Sequence, residues 1–404
     1  MVCLKGEQEV QAWVLDRAAE AFLDQDLSDE EAREQIDDWV FSCLQQVDLS
    51  LEQAQAISDA VFGKLRSPVG PLFRLLEDDT ISEIMVNGAG NVFAERQGIL
   101  FRTSYQFSST EELERVIRGI AASVRREINE LHPILDARLA DGSRVNAIFG
   151  NVAIGGPALT IRKFRRETLT MEALIEKGSL TRDCGAFLGN LVGAGYNLFV
   201  SGGTSSGKTT FLGALASFIP QAERVVVIED SAELQLDQLP NLVQMECRNA
   251  NSLGKGQISM DMLIRTSLRM RPDRLVVGEV RGREVADMLQ ALNTGHSGLS
   301  TGHGNSVRGM LRRMEAMYLM GSQIPMDAIR AQITEAIDVM VHLGRLADGS
   351  RRVLEVQELL GYREGAYLLN PLYETQQGQG GPQLVATGRT LQNRDRAAWK
   401  GRQV

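Results

Sequence analysis

Residues 197–210 read NLFVSGGTSSGKTT, an apolar strand that breaks into a glycine-rich loop and continues as a helix. Gly202, Gly207, Lys208 and Thr209 meet the pattern G-x-x-x-x-G-K-[ST] of a P-loop. Small residues let the backbone N–H groups of such a loop converge on a polyphosphate at a helix N-terminus. We therefore expect Lys208 to reach the β- and γ-phosphates of a nucleoside triphosphate and the Thr209 hydroxyl to ligate Mg²⁺. The residues expected to contact the nucleotide are Gly202, Gly203, Thr204, Ser205, Ser206, Gly207, Lys208, Thr209 and Thr210.

The composition is ordinary for a soluble globular protein with more than one domain. The 404 residues exceed one typical core, so we expect two domains and a smaller appendage. No apolar run is long enough to span a membrane, and the N-terminus turns acidic where a signal peptide would be apolar. We therefore expect a cytoplasmic protein. The four cysteines form no C-x-x-C pair, so no zinc site is expected.

The negative charge is concentrated at the N-terminus. The net charge of the chain is −9, whereas residues 1–60 hold 15 Asp and Glu against 3 Lys and Arg, a net of −12. The acidic balance argues against general nucleic-acid binding. The acidic piece is either a solvated surface or a docking face for a basic partner.

Hydrophobic periodicity and turn signals divide the chain into five parts. The first is helical, with a capping box expected at Ser28 and Glu31. The second combines short β-rich runs with a helix expected at 111–130 and a hairpin at Asp141-Gly142. The third leads into a helix at 171–176. The fourth alternates short apolar strands with helices, which predicts an α/β fold, and its last strand pair is expected across Asp348-Gly349. The parts are an acidic helical unit (1–66), an α+β domain (67–165), a polar linker (166–180), an α/β domain (181–375) and a mostly unstructured tail (376–404).

Carboxylates follow two of the predicted strands of the α/β domain. Residues 225–228 run into Glu229 and Asp230, with Glu233 shortly after, and a second strand ends at Glu279. Ligands of open α/β sheets bind at the carboxyl ends of the strands. We expect Glu229 or Glu233 to orient and deprotonate the attacking water, and Glu279 to hold Mg²⁺ through its water shell.

Two histidines, His296 and His303, lie in the glycine-rich segment 294–305 after a predicted helix. A single histidine is usually structural, but two in such a segment after Glu279 suit a sensor. A sensor of this kind hydrogen-bonds the γ-phosphate and moves when that phosphate leaves.

Four motifs in this order resemble the Walker A, Asp box, Walker B and His box of the bacterial type II/type IV secretion ATPase superfamily. They are GGTSSGKTT (202–210), IEDSAEL (228–234), LRMRPDRLVVGEVRGREVADMLQALNTGH (268–296) and STGHGNS (300–306). The resemblance covers about residues 60–370, and its nearest branch is the tight-adherence (Tad, CpaF-type) pilus assembly ATPases.

The resemblance implies a homo-hexamer of two-domain subunits that binds ATP and Mg²⁺ between an N-terminal domain and a RecA-like P-loop C-terminal domain. Subunit motions then drive pilin assembly or protein export through an inner-membrane platform protein. The ATPase would lie at the cytoplasmic face of the inner membrane, held there by its partners. No role for nucleic acid is implied.

The resemblance also implies that arginines of the N-terminal domain reach the phosphates. By the family's pattern these are Arg138, Arg144 and Arg162, and an arginine there stabilises charge that develops in phosphoryl transfer. The alternative is that they are surface arginines paired with nearby aspartates. Arg281 and Arg283 also match the family's pattern, with no role assigned.

The chain departs from the family's pattern around the second histidine. Gly302 and Gly304 flank His303, where the family has a bulky apolar residue and an alanine. Glycine at both positions predicts a loosened backbone around the sensor. The tetracysteine insert of the general secretion branch is also absent.

Four functions are compatible with these motifs. The leading one is a hexameric cytoplasmic ATPase that powers Tad/Flp-type pilus assembly, and the second is a type IV secretion traffic ATPase. A nucleotide-gated scaffold with little turnover is the third. A RecA-like helicase is the fourth, and the acidic balance and 5% aromatic content argue against it.

Overall fold

The computed structural model describes residues 6–22, 27–44, 47–65, 69–96, 98–139, 141–164, 169–248, 250, 255–346, 348–378 and 381–401. The chain forms two compact units, Met1–Arg165 and Arg166–Val404. No helix within the described ranges is long and apolar enough to cross a membrane.

The first unit begins with three helices around a small apolar core. They are α1 (Glu7–Ala21), α2 (Asp29–Cys43) and α3 (Leu51–Leu65). The Ser28 Oγ accepts a hydrogen bond from the Glu31 N–H at 3.3 Å, and the Glu31 carboxylate accepts one from the Ser28 N–H at 2.8 Å. The predicted capping box at the start of α2 is therefore confirmed. The core contains Val10, Val14, Ile36, Val40, Ile57 and Val61.

An antiparallel sheet of six strands completes the first unit, with a helix packed against its apolar face. The elements are a 3-10 turn (Gly70–Leu72), α4 (Phe73–Glu77), β1 (Ile81–Asn87), β2 (Val92–Arg96), β3 (Ile99–Arg102), α5 (Thr110–Ser123), β4 (Ile134–Arg138), β5 (Arg144–Ile148) and β6 (Ala158–Arg162). The strand order is β3-β2-β1-β6-β5-β4. The hairpin expected at Asp141-Gly142 joins β4 and β5, with Gly142 at a φ of +91°.

Helix α5 is shorter than predicted. The expected helix at 111–130 ends at Ser123, because Arg125 adopts a φ of +55° and the Arg126 N–H donates to the Ala121 carbonyl at 2.8 Å. A left-handed residue followed by this hydrogen bond is the usual C-terminal cap of a helix. Glycine normally marks the left-handed position, so arginine there gave no stop signal in the sequence.

The acidic helices and the α+β part belong to one compact unit, so the boundary expected after residue 66 does not separate two bodies. The Phe62 and Phe73 rings lie 5.2 Å apart between α3 and α4. The Arg74 guanidinium pairs with the Asp59 carboxylate of α3. These contacts join the helices to the start of the sheet domain.

The second unit is an α/β fold built on one nine-stranded sheet. Its elements are α6 (Met171–Glu176), α7 (Arg182–Ala194), β7 (Leu198–Gly202), α8 (Lys208–Ala216), β8 (Val225–Glu229), β9 (Leu242–Glu246), α9 (Met260–Ser267), β10 (Arg274–Val280), α10 (Glu284–Asn293), β11 (Ser297–His303), α11 (Val307–Gly321), α12 (Met326–Ala336), β12 (Val339–Arg345), β13 (Arg351–Arg363), β14 (Ala366–Gly378), β15 (Gly381–Ala386) and α13 (Asp395–Trp399).

The strand order of this sheet is β15-β14-β13-β12-β7-β11-β10-β8-β9. Strands β12, β7, β11, β10, β8 and β9 are parallel, whereas β13, β14 and β15 extend the sheet as antiparallel hairpins. The predicted strand pair across Asp348-Gly349 is the hairpin of β12 and β13. The RecA-like P-loop arrangement expected for the C-terminal domain is thus present.

Strand β11 was not expected, because its sequence SGLSTGH was assigned to a glycine-rich segment. It lies between β7 and β10 at the centre of the parallel sheet. A Cβ on Gly298 would stand 2.9 Å from the Leu275 carbonyl oxygen of β10. The glycines of this strand therefore allow close packing rather than a flexible loop.

The expected linker 166–180 is largely part of the second unit. The predicted helix at residues 171–176 is present as α6, and residues 165–168 lie outside the described residues. Met171, Leu174 and Leu180 are buried in the core of the second unit. Three buried apolar residues anchor a segment that looked polar as a whole.

The prediction of a mostly unstructured tail at 376–404 is wrong for the part that the structure describes. This part contains the end of β14, all of β15 and α13. The buried Glu358 carboxylate accepts hydrogen bonds from the N–H groups of Gln392 and Asn393, and Leu391 and Ala397 are buried. The sequence of this part shows no regular spacing of apolar residues, because isolated buried side chains and backbone hydrogen bonds fix it to the second unit rather than one apolar face of a long helix.

Candidate active site

The candidate site lies where the parallel strands β7, β11, β10 and β8 end. In open α/β sheets this carboxyl edge is where ligands bind. Strand β7 stops at Gly202 and α8 begins at Lys208, so the P-loop is the connection between them. His303 ends β11 opposite Gly202, and Glu279 lies near the end of β10.

The loop between β7 and α8 turns through two residues in the left-handed conformation. Ser205 and Gly207 adopt positive φ values of +57° and +90°. The Ser206 Oγ donates to the Gly203 carbonyl at 2.9 Å. A Cβ on Gly202 would stand 2.7 Å from the Leu343 carbonyl oxygen, so only glycine fits there. The loop opens directly onto the N-terminus of α8, where backbone N–H groups favour anions.

Lys208 points back into this loop. Its side chain is buried, and its Nζ donates to the carbonyl oxygens of Gly202 at 3.2 Å and Gly203 at 2.9 Å. Burial lowers the pKa of Lys208, while the nearby Glu279 carboxylate opposes that change. The loop carbonyls thus hold the ammonium group inside the loop.

His303 connects Lys208 to Glu279. The His303 Nδ1 lies 3.3 Å from the Lys208 Nζ, and the His303 Nε2 lies 2.7 Å from the Glu279 Oε1. Burial first, and then the charge of Lys208, lower the pKa of His303. This lowering favours the neutral imidazole, and the ring bridges the P-loop lysine and the strand-end carboxylate.

The contacts that run from Lys208 through His303 to Glu279 extend through Arg281 to the end of the neighbouring strand β8. The Glu279 Oε2 accepts a hydrogen bond from the Arg281 Nη2 at 2.9 Å, and the Arg281 Nη1 lies 3.4 Å from the Asp230 Oδ2. Arg281 has no role predicted from the sequence, although its place in the GEVRGRE motif next to Glu279 was a usable signal. In the structure Arg281 ties the ends of β10 and β8 together.

Glu229 and Glu233 lie in different environments. Glu229 is buried, and its Oε1 accepts hydrogen bonds from the N–H groups of Glu233 at 3.0 Å and Leu234 at 3.1 Å. A Cβ on Gly278 would stand 2.8 Å from the Glu229 Cγ, so the neighbouring strand encloses the side chain. Glu229 therefore shapes the loop that carries the more exposed Glu233.

The donors expected to hold Mg²⁺ fit a hard cation. Thr209 offers a partly exposed hydroxyl in the first turn of α8, and Glu279 offers a carboxylate that is 19% exposed. Among the described residues, no group of three or more His, Cys, Asp or Glu side chains is arranged to hold a metal by itself. This sparse set suits Mg²⁺, which keeps several waters and takes substrate phosphates as ligands.

Arg138, Arg144 and Arg162 form a row across three strands of the first unit. In the strand register, Arg138 of β4 stands directly opposite Arg144 of β5, and Arg144 stands directly opposite Arg162 of β6. The Arg138 guanidinium lies 5.5 Å from the centre of the Phe164 ring. Directly paired residues of antiparallel strands share one face of the sheet, so the three cations stand side by side.

Of the two histidines assigned to a sensor, His303 alone is at the site. His296 precedes β11, at the end of the strand opposite to His303, and its Nδ1 lies 3.1 Å from the Ala291 carbonyl oxygen. The expected loosening around His303 is also absent, because a Cβ on Gly302 or Gly304 would stand 2.8 or 2.9 Å from Met310 atoms. These glycines are tightly packed.

Comparisons with known proteins agree with this fold. The family model described as "Type II/IV secretion system protein" matches residues 66–383. Conjugal transfer protein TrbB of Rhizobium radiobacter is 33% identical over 313 residues, which cover 75% of this chain and 92% of that protein. Type IV secretion system protein PtlH of Bordetella pertussis is 32% identical over 317 residues, with 72% and 92% covered.

The X-ray structure of the Legionella pneumophila ATPase DotB shares the fold. It is 20% identical, with a TM-score of 0.51, and the match covers 73% of this chain and 80% of that chain. The match to the family model, which spans more than half of the chain, decides the classification. This chain belongs to the type II/IV secretion system protein family, in the superfamily of the secretion ATPases.

Proposed function

We propose that the second unit hydrolyses ATP with Mg²⁺ and that the chain works as a homo-hexamer. The observation that carries this proposal is the line of contacts from Lys208 through His303 to Glu279 beside the P-loop. Arrival or loss of a γ-phosphate at the lysine would change the contacts of the carboxylate through one shared histidine. Membership of the type II/IV secretion family supports ATP turnover.

Each residue of the site has a proposed task. The backbone N–H groups of residues 203–210 bind the phosphates, and Lys208 exchanges its carbonyl partners for the β- and γ-phosphate oxygens. Thr209 and Glu279 would hold Mg²⁺. When bound, Mg²⁺ supplies positive charge that offsets the charge of the phosphate oxygens. Glu233 orients and deprotonates the attacking water, because Glu229 already accepts two backbone hydrogen bonds.

The arginine row of the first unit is proposed to supply further positive charge to the nucleotide. A polyphosphate that reached Arg138, Arg144 and Arg162 would meet three guanidinium groups, which would stabilise charge that develops in the transition state. The nucleotide would belong to the same chain or to a neighbouring chain of the hexamer.

The site is tested by separating binding from turnover. We expect Lys208→Ala to weaken MgATP binding at least about tenfold, a loss of about 1.4 kcal/mol. Glu279→Gln should retain binding but slow phosphate release about 100-fold. Equilibrium titration with ATP and a phosphate-release assay measure the two quantities. Wild-type protein that binds ATP but releases phosphate no faster than Glu279→Gln would instead be a nucleotide-gated scaffold.

The work done by hydrolysis is proposed to act on inner-membrane platform proteins, at the cytoplasmic face of the membrane. Sequence motifs favoured Tad-type pilus assembly. The names of the two relatives, a conjugal transfer protein and a type IV secretion protein, support type IV secretion traffic at least as well. Deleting the gene in its host and scoring surface pili against substrate transfer distinguishes the two. Added DNA should leave the ATPase rate unchanged.

A further inference from the structure

The hairpin of β12 and β13 stands next to the P-loop. Strand β12 runs parallel to β7 and places Leu343 beside Gly202, the last residue of β7. The chain then turns at Asp348-Gly349 and returns as β13, whose first residue is Arg351. Sheet pairing therefore fixes the start of β13 beside the loop between β7 and α8.

Arg351 contacts both left-handed residues of the P-loop. Its Nε donates a hydrogen bond to the Ser205 carbonyl at 2.9 Å. Its Cδ lies 3.2 Å from the position that a Cβ on Gly207 would occupy. One side chain thus supports the carbonyl at Ser205, where φ is +57°, and packs against Gly207, where φ is +90°.

These contacts fix the orientation of a peptide plane in the phosphate cradle. The peptide bond between Ser205 and Ser206 is planar and trans, so its C=O and N–H groups point in opposite directions. With the carbonyl turned to Arg351, the Ser206 N–H faces the Gly203 carbonyl inside the loop, at 3.4 Å. A serine with positive φ is strained and persists only where its surroundings hold it.

We propose that Arg351 is a positioning residue of the nucleotide site, which holds the Ser205–Gly207 segment in the shape that binds the diphosphate of a nucleotide. The inference rests on the proposed ATP site. Arg351 acts through the loop backbone, so its loss should weaken nucleotide binding more than it slows the chemical step.

Arg352 provides a matched control one residue away. Its Nη1 donates to the Pro382 carbonyl at 3.0 Å and its Nε donates to the Ser350 Oγ at 3.2 Å. Those partners belong to β15 and to the β12–β13 turn. Arg352→Ala therefore removes the same type of side chain from the same strand without touching the P-loop contacts described for Arg351.

Calorimetric titration of the full chain with MgADP tests the proposal. We expect Arg351→Ala to raise the Kd about tenfold, since a hydrogen bond from a charged donor contributes about 1.5 kcal/mol. Arg351→Lys should recover part of the loss, and Arg352→Ala should bind as wild type does. At saturating MgATP, the kcat of Arg351→Ala should stay within about twofold of wild type, because the loss lies in binding.

Three results would overturn the inference: a wild-type Kd for Arg351→Ala, equal weakening by Arg351→Ala and Arg352→Ala, or a lower kcat with unchanged binding. If Arg351→Ala does not fold, the Kd of Arg351→Lys for MgADP decides, since the proposal requires that Kd to lie above the wild-type value. Wild-type protein that does not bind MgADP would refute the proposed ATP site itself. Wild-type binding that Arg351→Ala leaves intact would refute only the role of Arg351.

Discussion

At the scale of single residues, three glutamates that look alike in the sequence have different surroundings. Glu229 is buried and accepts two backbone hydrogen bonds, whereas Glu279 is shared between His303 and Arg281. Glu233 is partly exposed, unlike the buried Glu229. The burial and the contacts of each carboxylate therefore suggest its task better than its place in a motif does.

We predict that glutamine at Glu229 affects mainly stability, whereas glutamine at Glu233 affects mainly turnover. Glu229→Gln should lower the free energy of unfolding by about 1–3 kcal/mol, because a neutral amide oxygen accepts the two N–H groups more weakly than a carboxylate does and the amide NH₂ cannot accept the Leu234 N–H at the second position. Glu233→Gln should leave stability unchanged and lower kcat about 100-fold, as expected for a lost general base. Urea unfolding and single-turnover phosphate release measure these effects. A stable but inactive Glu229→Gln beside an active Glu233→Gln would reverse the assignment.

At the scale of elements, the central strand β11 determines where His303 lies. Gly302 in this strand and Gly304 just after it pack closely against Met310 of α11, which keeps the end of the strand beside the P-loop. Gly304 also donates its N–H to the Gly202 carbonyl at 3.3 Å. The position of the histidine thus depends on backbone packing on both sides.

Alanine at Gly304 should therefore disturb both packing and activity. Its Cβ would stand 2.9 Å from the Met310 Cβ, which sits close to the helix backbone and cannot swing away. We expect a loss of about 1–3 kcal/mol in unfolding free energy, together with slower turnover. Gly213→Ala in α8 is the control, since its nearest neighbour is 3.7 Å away. Equal melting temperatures for Gly304→Ala and wild type would contradict this packing account.

At the scale of the whole chain, the C-terminal segment around Asn393 and Arg396 contacts the end of the sheet opposite to the P-loop. The Tyr196 hydroxyl, just before β7, donates to the Asn393 carbonyl at 2.7 Å. Arg396 lies 3.2 Å from the Asp338 Oδ2 and donates to the Gly195 carbonyl at 2.7 Å. Asn393 and Arg396 thus hold this C-terminal segment against the second unit.

Arg396→Ala should lower the free energy of unfolding, because it removes the contacts of Arg396 with Asp338 and Gly195. Burial raises the pKa of Asp338 and the charge of Arg396 opposes that change, so the variant leaves a buried carboxylate without its cation. We expect a loss of about 1–3 kcal/mol near neutral pH. Because a raised native pKa favours the protonated form, the loss should shrink as the pH falls. Urea unfolding at several pH values measures it, with Lys400→Ala as the exposed control. A loss independent of pH would exclude the role of Asp338.

The sequence predicted the parts of this molecule that are encoded locally. The P-loop, the apolar strands β7, β8 and β10 and the turn at Asp348-Gly349 each follow from a short run of residues. Strand β11 did not, because its glycines match loops as well as buried strands. Arg351 gave no signal either, since it reaches Ser205 across 146 residues of sequence.

The most direct test of the account is phosphate release from MgATP by the full chain over a range of protein concentrations, for wild type and Lys208→Ala. We expect the specific activity of wild type to rise with concentration as the homo-hexamer assembles, because assembly is favoured by mass action. Lys208→Ala should be inactive throughout. Wild-type release equal to that of Lys208→Ala at every concentration would contradict the claim that this protein is an ATPase.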